Sequence, residues 1–441
     1  MQDRKPLVSV IMPSLNVVKY IDECIQSVLN QSLTQIEIIC VDAGSTDGTY
    51  ERLKEYETKD SRIRVIQSDK RSYGYQVNLG IKKSNAKYIG IVETDDYVDE
   101  SMFEILYHRA EDNNLDFVKA DFTFLHDIDG YYLYKSGELF DTDTNKFYNQ
   151  VIQPLDCTYL YFHDFNVWKG IYNREFLIDN DVMFNESAGA SFQDIGFQQL
   201  LLYYAKRCMY IPEKLYYYRF GHMTNSSVSS KLLQFVKQEF ERLLDNKLNG
   251  VTGRKIELIY QKMGLDLWSQ YNVLLDLNGS SVKNEDVEQC YQWIKQKLLA
   301  ALNNGIVKTI DMNQDTWKKI TFLLDDKEAY TDKYLARIQD KTDEIKGILG
   351  KVNVIWGCGT YGMEALDFCK KYGYDCIALT DNNSSLWGRK ISGVEVKAPS
   401  VIINKNQDVT YVIANKLHSG EIQMQLKENG VQDKNIVFWK Q

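Results

Sequence analysis

Apolar positions recur along this chain in two rhythms, and the dominant rhythm changes twice. Over the opening stretch, short β-branched runs alternate with segments apolar at every third or fourth position, the pattern of a parallel α/β sheet with crossover helices. Residues 7–12 predict a first strand ending at Pro13, and 18–30 a helix with Tyr20, Ile21, Cys24, Ile25, Val28 and Leu29 on one face. Residues 36–41 predict a second strand, stopped by the turn cluster Asp42-Ala43-Gly44-Ser45-Thr46-Asp47-Gly48. A helix over 49–58, a strand over 63–67, a helix over 75–84 and a strand over 88–92 follow. The last of these runs straight into Glu93-Thr94-Asp95-Asp96.

From 97 to 230 helical and strand-like pieces mix, closing on a tyrosine-rich strand over 214–220. Residues 231–350 then read as nearly continuous helix, as in FVKQEFERLLDNKL and DVEQCYQWIKQKLLAALNN. No catalytic constellation stands out there, which leaves a scaffold or the oligomerisation arm of a homo-oligomer as its role. The α/β rhythm returns over 351–441, with a strand at 352–356, the turn Gly357-Cys358-Gly359-Thr360-Tyr361-Gly362, a helix to 372 and a strand at 376–380 ending in Asp381. The chain is thus expected to be α/β in class, with bodies at 1–230, 231–350 and 351–441.

Length agrees with that division, because a single core stops growing near about 300 residues and this chain has 441. A hydrophobic fraction of 44% and a charged fraction of 26% exclude a disordered or fibrous chain. The formal charge of -9 argues against neutralising nucleic-acid phosphates, so no nucleic acid is expected as partner. No apolar run is long enough for a membrane span, and MQDRKPLVSV lacks the apolar stretch of a signal peptide, which predicts a cytoplasmic protein. The 8 Cys form no C-x-x-C pair, and Cys24, Cys40 and Cys208 lie in apolar runs, as reduced, buried thiols do. An aromatic fraction of 12% suits both sugar-ring stacking and additional core packing.

Candidate chemistry sits where the strands end. Ligands of open parallel sheets bind outside the carboxyl ends of the strands. The polar clusters Pro13-Ser14-Leu15-Asn16, the Asp42 turn, Ser68-Asp69-Lys70-Arg71 and Glu93 to Asp96 all fall there. Glu93, Asp95 and Asp96 crowd like charges together. Such a group either holds a cation, with hard oxygens suited to Mg2+ or Mn2+ and through it a diphosphate, or forms a solvated acidic turn.

Four segments in order, VSVIMPSLN, QSVLNQSLTQIEIICVDAGSTDGT, GYQVNLGI and YIGIVETDDYV, resemble the family-2 glycosyltransferases of the GT-A fold. The resemblance implies a nucleotide-diphospho-sugar transferase domain over 1–230, in which Pro13, Ser14, Asn16 and Asp42 hold the base and ribose of the donor. It places Mn2+ or Mg2+ on Asp95 and Asp96, puts Glu93 on ribose or metal, and includes Asp69 and Thr94 in the donor-binding set. Three departures stand out. Ala43 replaces an Asp of the turn and leaves base selectivity open, Val77 replaces an Arg and leaves Gln76 and Asn78 to orient the donor, and Gln193 precedes Asp194 where Glu-Asp is usual.

Three further resemblances extend the implied site. GASFQDIGFQQLLLYY is similar to the segment carrying the family's catalytic base, which falls on Asp194; by itself the same residue also reads as a helix cap. FNVWKGIYNREFL resembles a segment bordering the acceptor side, with Lys169 facing the site and Trp168 stacking on a sugar, the other reading being an exposed Lys beside a core Trp. YYYRFGHMTNSS resembles a basic segment that would set Arg219 on diphosphate and His222 on metal, although a lone His also reads as structural. The unit at 351–441 resembles small Rossmann-like domains attached to sugar acyltransferases and methyltransferases. Too short for a second mononucleotide half, it is expected not to bind NAD, and to serve either assembly or the binding of a nucleotide or sugar nucleotide.

The implied activity is that of an inverting, metal-dependent glycosyltransferase moving a sugar from a nucleotide-diphosphate donor, UDP-linked, to a hydroxyl of a bacterial surface polymer. The acceptor would be a glycan or lipid-linked chain met at the inner face of the membrane. Two other classes compete. A nucleotidyltransferase would carry a Gly-rich basic loop after the first strand, which Pro13-Ser14-Leu15-Asn16 is not; a binding or assembly protein would keep the sheet with a decayed site.

Overall fold

Val8, Val10, Ile11 and Met12 have no exposed surface, as a strand covered on both faces requires, and they set β1 (Val8–Ser14) inside a sheet. The computed structural model describes residues 5–128, 131–220, 231–277, 282, 284–403 and 409–439. Two units emerge, Met1–Leu125 with Tyr134–Thr331, and His126–Leu133 with Asp332–Gln441.

In the first unit β1 is followed by α1 (Ile21–Leu29), β2 (Ile36–Asp42), α2 (Thr49–Lys59), β3 (Ile63–Gln67), α3 (Tyr73–Lys83) and β4 (Tyr88–Ile91), which give the parallel order β3-β2-β1-β4. Val8 is in register with Ile36 on one side and Tyr88 on the other. These elements match the expected ones within a few residues. α3 begins before residue 75 because Ser72, in extended conformation, accepts the Tyr75 N–H at 3.2 Å and caps the helix.

The chain continues through β5 (Tyr97–Val98), α4 (Met102–Asn113), β6 (Phe117–Ile128), β7 (Tyr131–Gly137), α5 (Leu160–His163), β8 (Gly170–Asn173), α6 (Arg174–Asp179), α7 (Gln193–Tyr204) and β9 (Cys208–Phe220). β8 runs antiparallel to β4, and β6, β9 and β5 extend the sheet beyond it, with β7 pairing β6. The return of β9 is what matters for the site, since it brings Tyr216 and Arg219 against Asp96.

Helices fill the middle stretch as expected: α8 (Leu232–Glu241), a π-helical turn Arg242–Lys247, α9 (Arg254–Leu277), α10 (Glu285–Asn303), α11 (Gln314–Asp325) and α12 (Lys327–Ile348). Up to Thr331 they count with the first unit and do not form a body of their own, because α8 packs on α7 and α9 on α5. α9 is buried at Ile256, Leu258, Ile259, Met263 and Leu267, positions spread around its axis, as in a helix enclosed by others.

The second unit contains β10 (Val352–Trp356), α13 (Thr360–Tyr372), β11 (Asp375–Thr380), β12 (Lys390–Ile391), β13 (Val394–Lys397), α14 (Pro399–Ile402), β14 (Val409–Ile413), α15 (Ser419–Glu428) and β15 (Ile436–Phe438). Its sheet has the order β12-β13-β11-β10-β14-β15 and is parallel except at β12. The turn from β10 to α13 is tight: a Cβ on Gly362 would lie 1.8 Å from the Gly357 carbonyl oxygen, so no larger residue fits. All the cysteines are free thiols, and all but Cys376 are buried. No described helix is long and apolar enough to cross a membrane.

Candidate active site

A web of hydrogen bonds fixes the strand ends that the sequence singled out. The Thr94 hydroxyl donates to the Pro13 carbonyl at 2.8 Å, and Gln76 Nε2 donates to the Ser14 and Val41 carbonyls at 2.9 and 2.6 Å, tying β1, β2, β4 and α3 together. Asp42 is fully buried. Its carboxylate accepts the Gly44 and Ser45 N–H groups at 2.9 and 3.0 Å and the Ser45 hydroxyl at 2.5 Å, which shapes the turn. Asn16, at φ 55°, accepts the Thr46 N–H at 2.8 Å and joins the loop after β1 to that turn.

Other expected donor contacts are differently engaged. Asp69 is exposed after β3, and the Tyr75 hydroxyl beside it holds its carboxyl below the usual range. Asn78 is buried and spends its amide on residues 184–186, accepting the Phe184 N–H at 2.9 Å and donating to the Phe184 carbonyl at 3.0 Å and Glu186 Oε1 at 3.2 Å. Gln76 and Asn78 thus act as braces through bonds to the protein itself.

The acidic segment is electrostatically strained. Burial first, then the charges of Asp95 and Asp194, push the Glu93 carboxyl up to about 8, against the Tyr73 hydroxyl that donates to Oε1 at 2.6 Å. Burial and the Asp95 charge likewise raise Asp96 well above the carboxylate range, although the Arg219 N–H and the Tyr216 hydroxyl donate to it at 2.6 and 2.8 Å. A cation relieves such repulsion, and Mg2+ or Mn2+ needs only one or two carboxylates when phosphate oxygens complete its shell. The hard oxygens of Asp95 and its neighbours fit that demand. Among the described residues no three His, Cys, Asp or Glu side chains form a complete ligand set by themselves. His222 lies outside the described residues.

Arg219 is anchored at the same place. Its Nε donates to the Asp95 carbonyl at 2.9 Å, its Nη2 to Glu23 Oε2 at 2.6 Å, and its guanidinium lies 5.0 Å over the Tyr20 ring.

Asp194 stands in the first turn of α7, whose N-cap position belongs to Phe192 at φ 65°. A simple cap role is therefore not what this carboxylate performs; its Oδ1 accepts the adjacent Ile195 N–H at 3.0 Å. Burial pushes it up to about 6, with Lys262 opposing and Asp266 adding to the rise. Its charge is felt at both Glu93 and Tyr73, so Asp194 and the acidic segment share one site. Gln193, the departure beside it, is a brace: Oε1 accepts the Gly74 N–H at 2.8 Å while Nε2 donates to the Ser187 carbonyl at 2.6 Å. The approach is close enough that a Cβ on Gly74 would lie 1.9 Å from the Asn185 carbonyl oxygen.

Lys169 does not face the site, and it is not exposed either. It is 1% exposed with Nζ 3.4 Å from Asp164 Oδ1, while Lys119 Nζ lies 2.9 Å from Oδ2 of the same carboxylate. Burial would raise Asp164, but the two ammonium groups hold it below the usual range; burial pulls Lys119 down to about 8. Trp168 packs in an aromatic stack with Tyr216 and Tyr218 at 4.2 and 5.0 Å, the core role and not the sugar-stacking one. Tyr73, Tyr216, Glu23, Lys262 and Asp266 were not picked out from the sequence. Tyr216 carried a signal, the tyrosine-rich strand, but Lys262 and Asp266 sit in a helix with no motif.

Known proteins bear on this arrangement. Residues 9–168 match the family described as Glycosyl transferase family 2. Glycosyltransferase GlyG of Streptococcus pneumoniae is 32% identical over 218 residues, 48% of this chain and 70% of that protein. The uncharacterized glycosyltransferase EpsJ of Bacillus subtilis is 34% identical over 48% of this chain, which spans 61% of EpsJ's length. The putative teichuronic acid biosynthesis glycosyltransferase TuaG of B. subtilis is 42% identical over 22% of this chain and 38% of its own. Among solved structures, S. aureus TarS in complex with UDP-GlcNAc aligns with a TM-score of 0.52 at 19% identity, over 74% of this chain and 89% of that one, a likeness of fold. Identity to GlyG over most of that protein's length, together with the family match on the strands that carry the acidic segment, shows the descent: the chain belongs to glycosyltransferase family 2, and its first unit has the GT-A fold.

Proposed function

We propose that this chain is an inverting, metal-dependent glycosyltransferase that draws its sugar from a UDP-linked donor and transfers it to a hydroxyl of a surface polymer. One observation carries the reading: Asp194, held at about 6, shares a single site with the acidic segment at the carboxyl ends of the parallel strands. The Asp42 turn and Asn16 receive the base and ribose, and the diphosphate lies toward Asp95. Asp95 and Asp96 would hold Mg2+ or Mn2+, which would supply charge neutralisation at the diphosphate. Asp194 takes the proton of the acceptor hydroxyl as its oxygen bonds to the anomeric carbon and the bond to diphosphate breaks. Attack opposite the leaving group inverts that carbon. The UDP-GlcNAc complex of TarS supports the donor class, and TuaG supports a cell-envelope polymer as product. A glycan or lipid-linked acceptor would be met by peripheral binding at the inner membrane face.

The test is release of nucleoside diphosphate from a panel of UDP-, GDP- and CDP-sugars with and without Mn2+. A UDP-sugar should be split only with the metal present. Release of pyrophosphate would point to nucleotidyl transfer, no release to a binding protein, and full activity in excess chelator would remove the metal from the mechanism.

A further inference from the structure

The second unit holds a cavity of about 300 Å³ that the transferase reaction does not use. Trp356, Asp381, Asn382, Asn415, His418 and Glu421 line it, at the ends of β10, β11 and β14 and the start of α15. β10 comes first in the chain yet lies between β11 and β14, so the connections on its two sides leave in opposite directions. Crevices at such reversals are where open parallel sheets bind ligands. Trp356, which also packs in the apolar cluster of this sheet, is 1% exposed, and its buried indole N–H has no hydrogen-bond partner among the described residues.

The lining decides the chemistry. Among the described residues it includes the carboxylates Asp381 and Glu421 and no Lys or Arg, so an anionic ligand meets repulsion. The Cys358 N–H, one of the glycine-turn donors that a diphosphate would need, already donates to Asp381 Oδ2 at 2.9 Å. Carboxylates and amides side by side suit hydroxyl groups, which donate to the first and accept from the second. Asn415 turns Oδ1 to the Leu417 and His418 N–H groups at 3.2 and 3.1 Å, which leaves its NH2 for a ligand. His418 Nδ1 lies 3.2 Å from Glu421 Oε2 and presents a second polar pair at the rim.

We propose that this cavity binds a neutral polyhydroxylated ring through its hydroxyls, either a saccharide unit or the ribose of a nucleoside. Saturation-transfer NMR on the full chain, with UDP and Mn2+ filling the first unit's site, tests it against monosaccharides, short glycans, uridine, adenosine and NAD. Signals on sugar or ribose ring protons should appear and fall at least tenfold in Asp381→Ala. Because that change also orphans the Cys358 and Asn383 N–H groups, which donate to Oδ2 and Oδ1, the double variant His418→Ala/Glu421→Ala, confined to exposed side chains, should weaken the same ligand while sugar-nucleotide hydrolysis is unchanged. Transfer to saccharides identifies a carbohydrate site, and transfer to nucleosides alone identifies a ribose site. Silence across the panel, signals that survive both variants, or NAD binding tighter than adenosine would overturn the proposal.

Discussion

At the scale of single residues, the environment divides labour among carboxyls that the sequence presents alike. Asp194 sits at about 6 and is ionised at neutral pH, as a base must be, whereas Glu93 at about 8 keeps its proton until a cation or donor changes its surroundings. Activity should therefore rise as pH climbs through about 6, the direction in which Asp194 loses its proton, and level off above. Asp194→Asn should lower transfer by about a hundredfold or more with donor affinity kept, and initial rates against pH would lose the rising limb. Near wild-type turnover in that variant would strip Asp194 of its role. Asp95→Ala should abolish transfer and Mn2+-dependent donor binding in calorimetry while the circular dichroism spectrum is retained. Lys169 shows what local sequence hides. Its partner Asp164 and its rival Lys119 come from separate elements, and only the folded chain shows one carboxylate between two ammonium groups. Asp164→Ala leaves two buried cations unpaired and should cost about 3–5 kcal/mol in a denaturant melt. Lys169→Met should leave donor affinity unchanged.

At the scale of elements, the parallel half was readable because each strand is a β-branched run that ends in a polar turn, and each crossover helix has one apolar face. Asp42 and Glu93 to Asp96 could be placed on that frame without long-range information, whereas Asp194, at the start of α7, was placed only by the resemblance of its segment. The antiparallel half was not readable in the same way. β9 passes β5 by pairing Tyr97 with Tyr217, a contact across the chain that no motif announces, and so Tyr216 passed for one more core tyrosine. The start of α3 is a comparable detail. Ser72 caps it, Tyr73 follows and reaches Glu93, so the cap fixes the residue that restrains the acidic segment. Ser72→Ala should cost about 1 kcal/mol of stability, read as a lowered melting temperature. A variant as stable as the wild type would mean that the Gln193 and Gly189 contacts already hold this helix start without the cap.

At the scale of the whole molecule, the division of the chain decides which parts the chemistry can lose. The helical middle looked like a scaffold because its apolar spacing shows packing and nothing more, yet Lys262 and Asp266 of α9 adjust the Asp194 carboxyl, and Glu239 of α8 stands where a Cβ on Gly196 would come within 2.0 Å of its Oε2. The second unit differs, since it closes two apolar clusters around its own sheet, one about Ile355, Leu366 and Val412 and the other about Trp356, Tyr411 and Leu426. Every residue proposed for donor, metal or base lies at or before His222, far upstream of that sheet. Removing residues 351–441 should therefore spare sugar-nucleotide hydrolysis, whereas stopping the chain after β9 should abolish it by stripping α8 and α9 from behind Asp194. Both truncations can be followed by nucleoside diphosphate release normalised to folded protein. Hydrolysis that survives the shorter chain would show that Asp194 keeps its ionisation without the helices, and hydrolysis lost in the longer one would tie the second unit to the reaction itself.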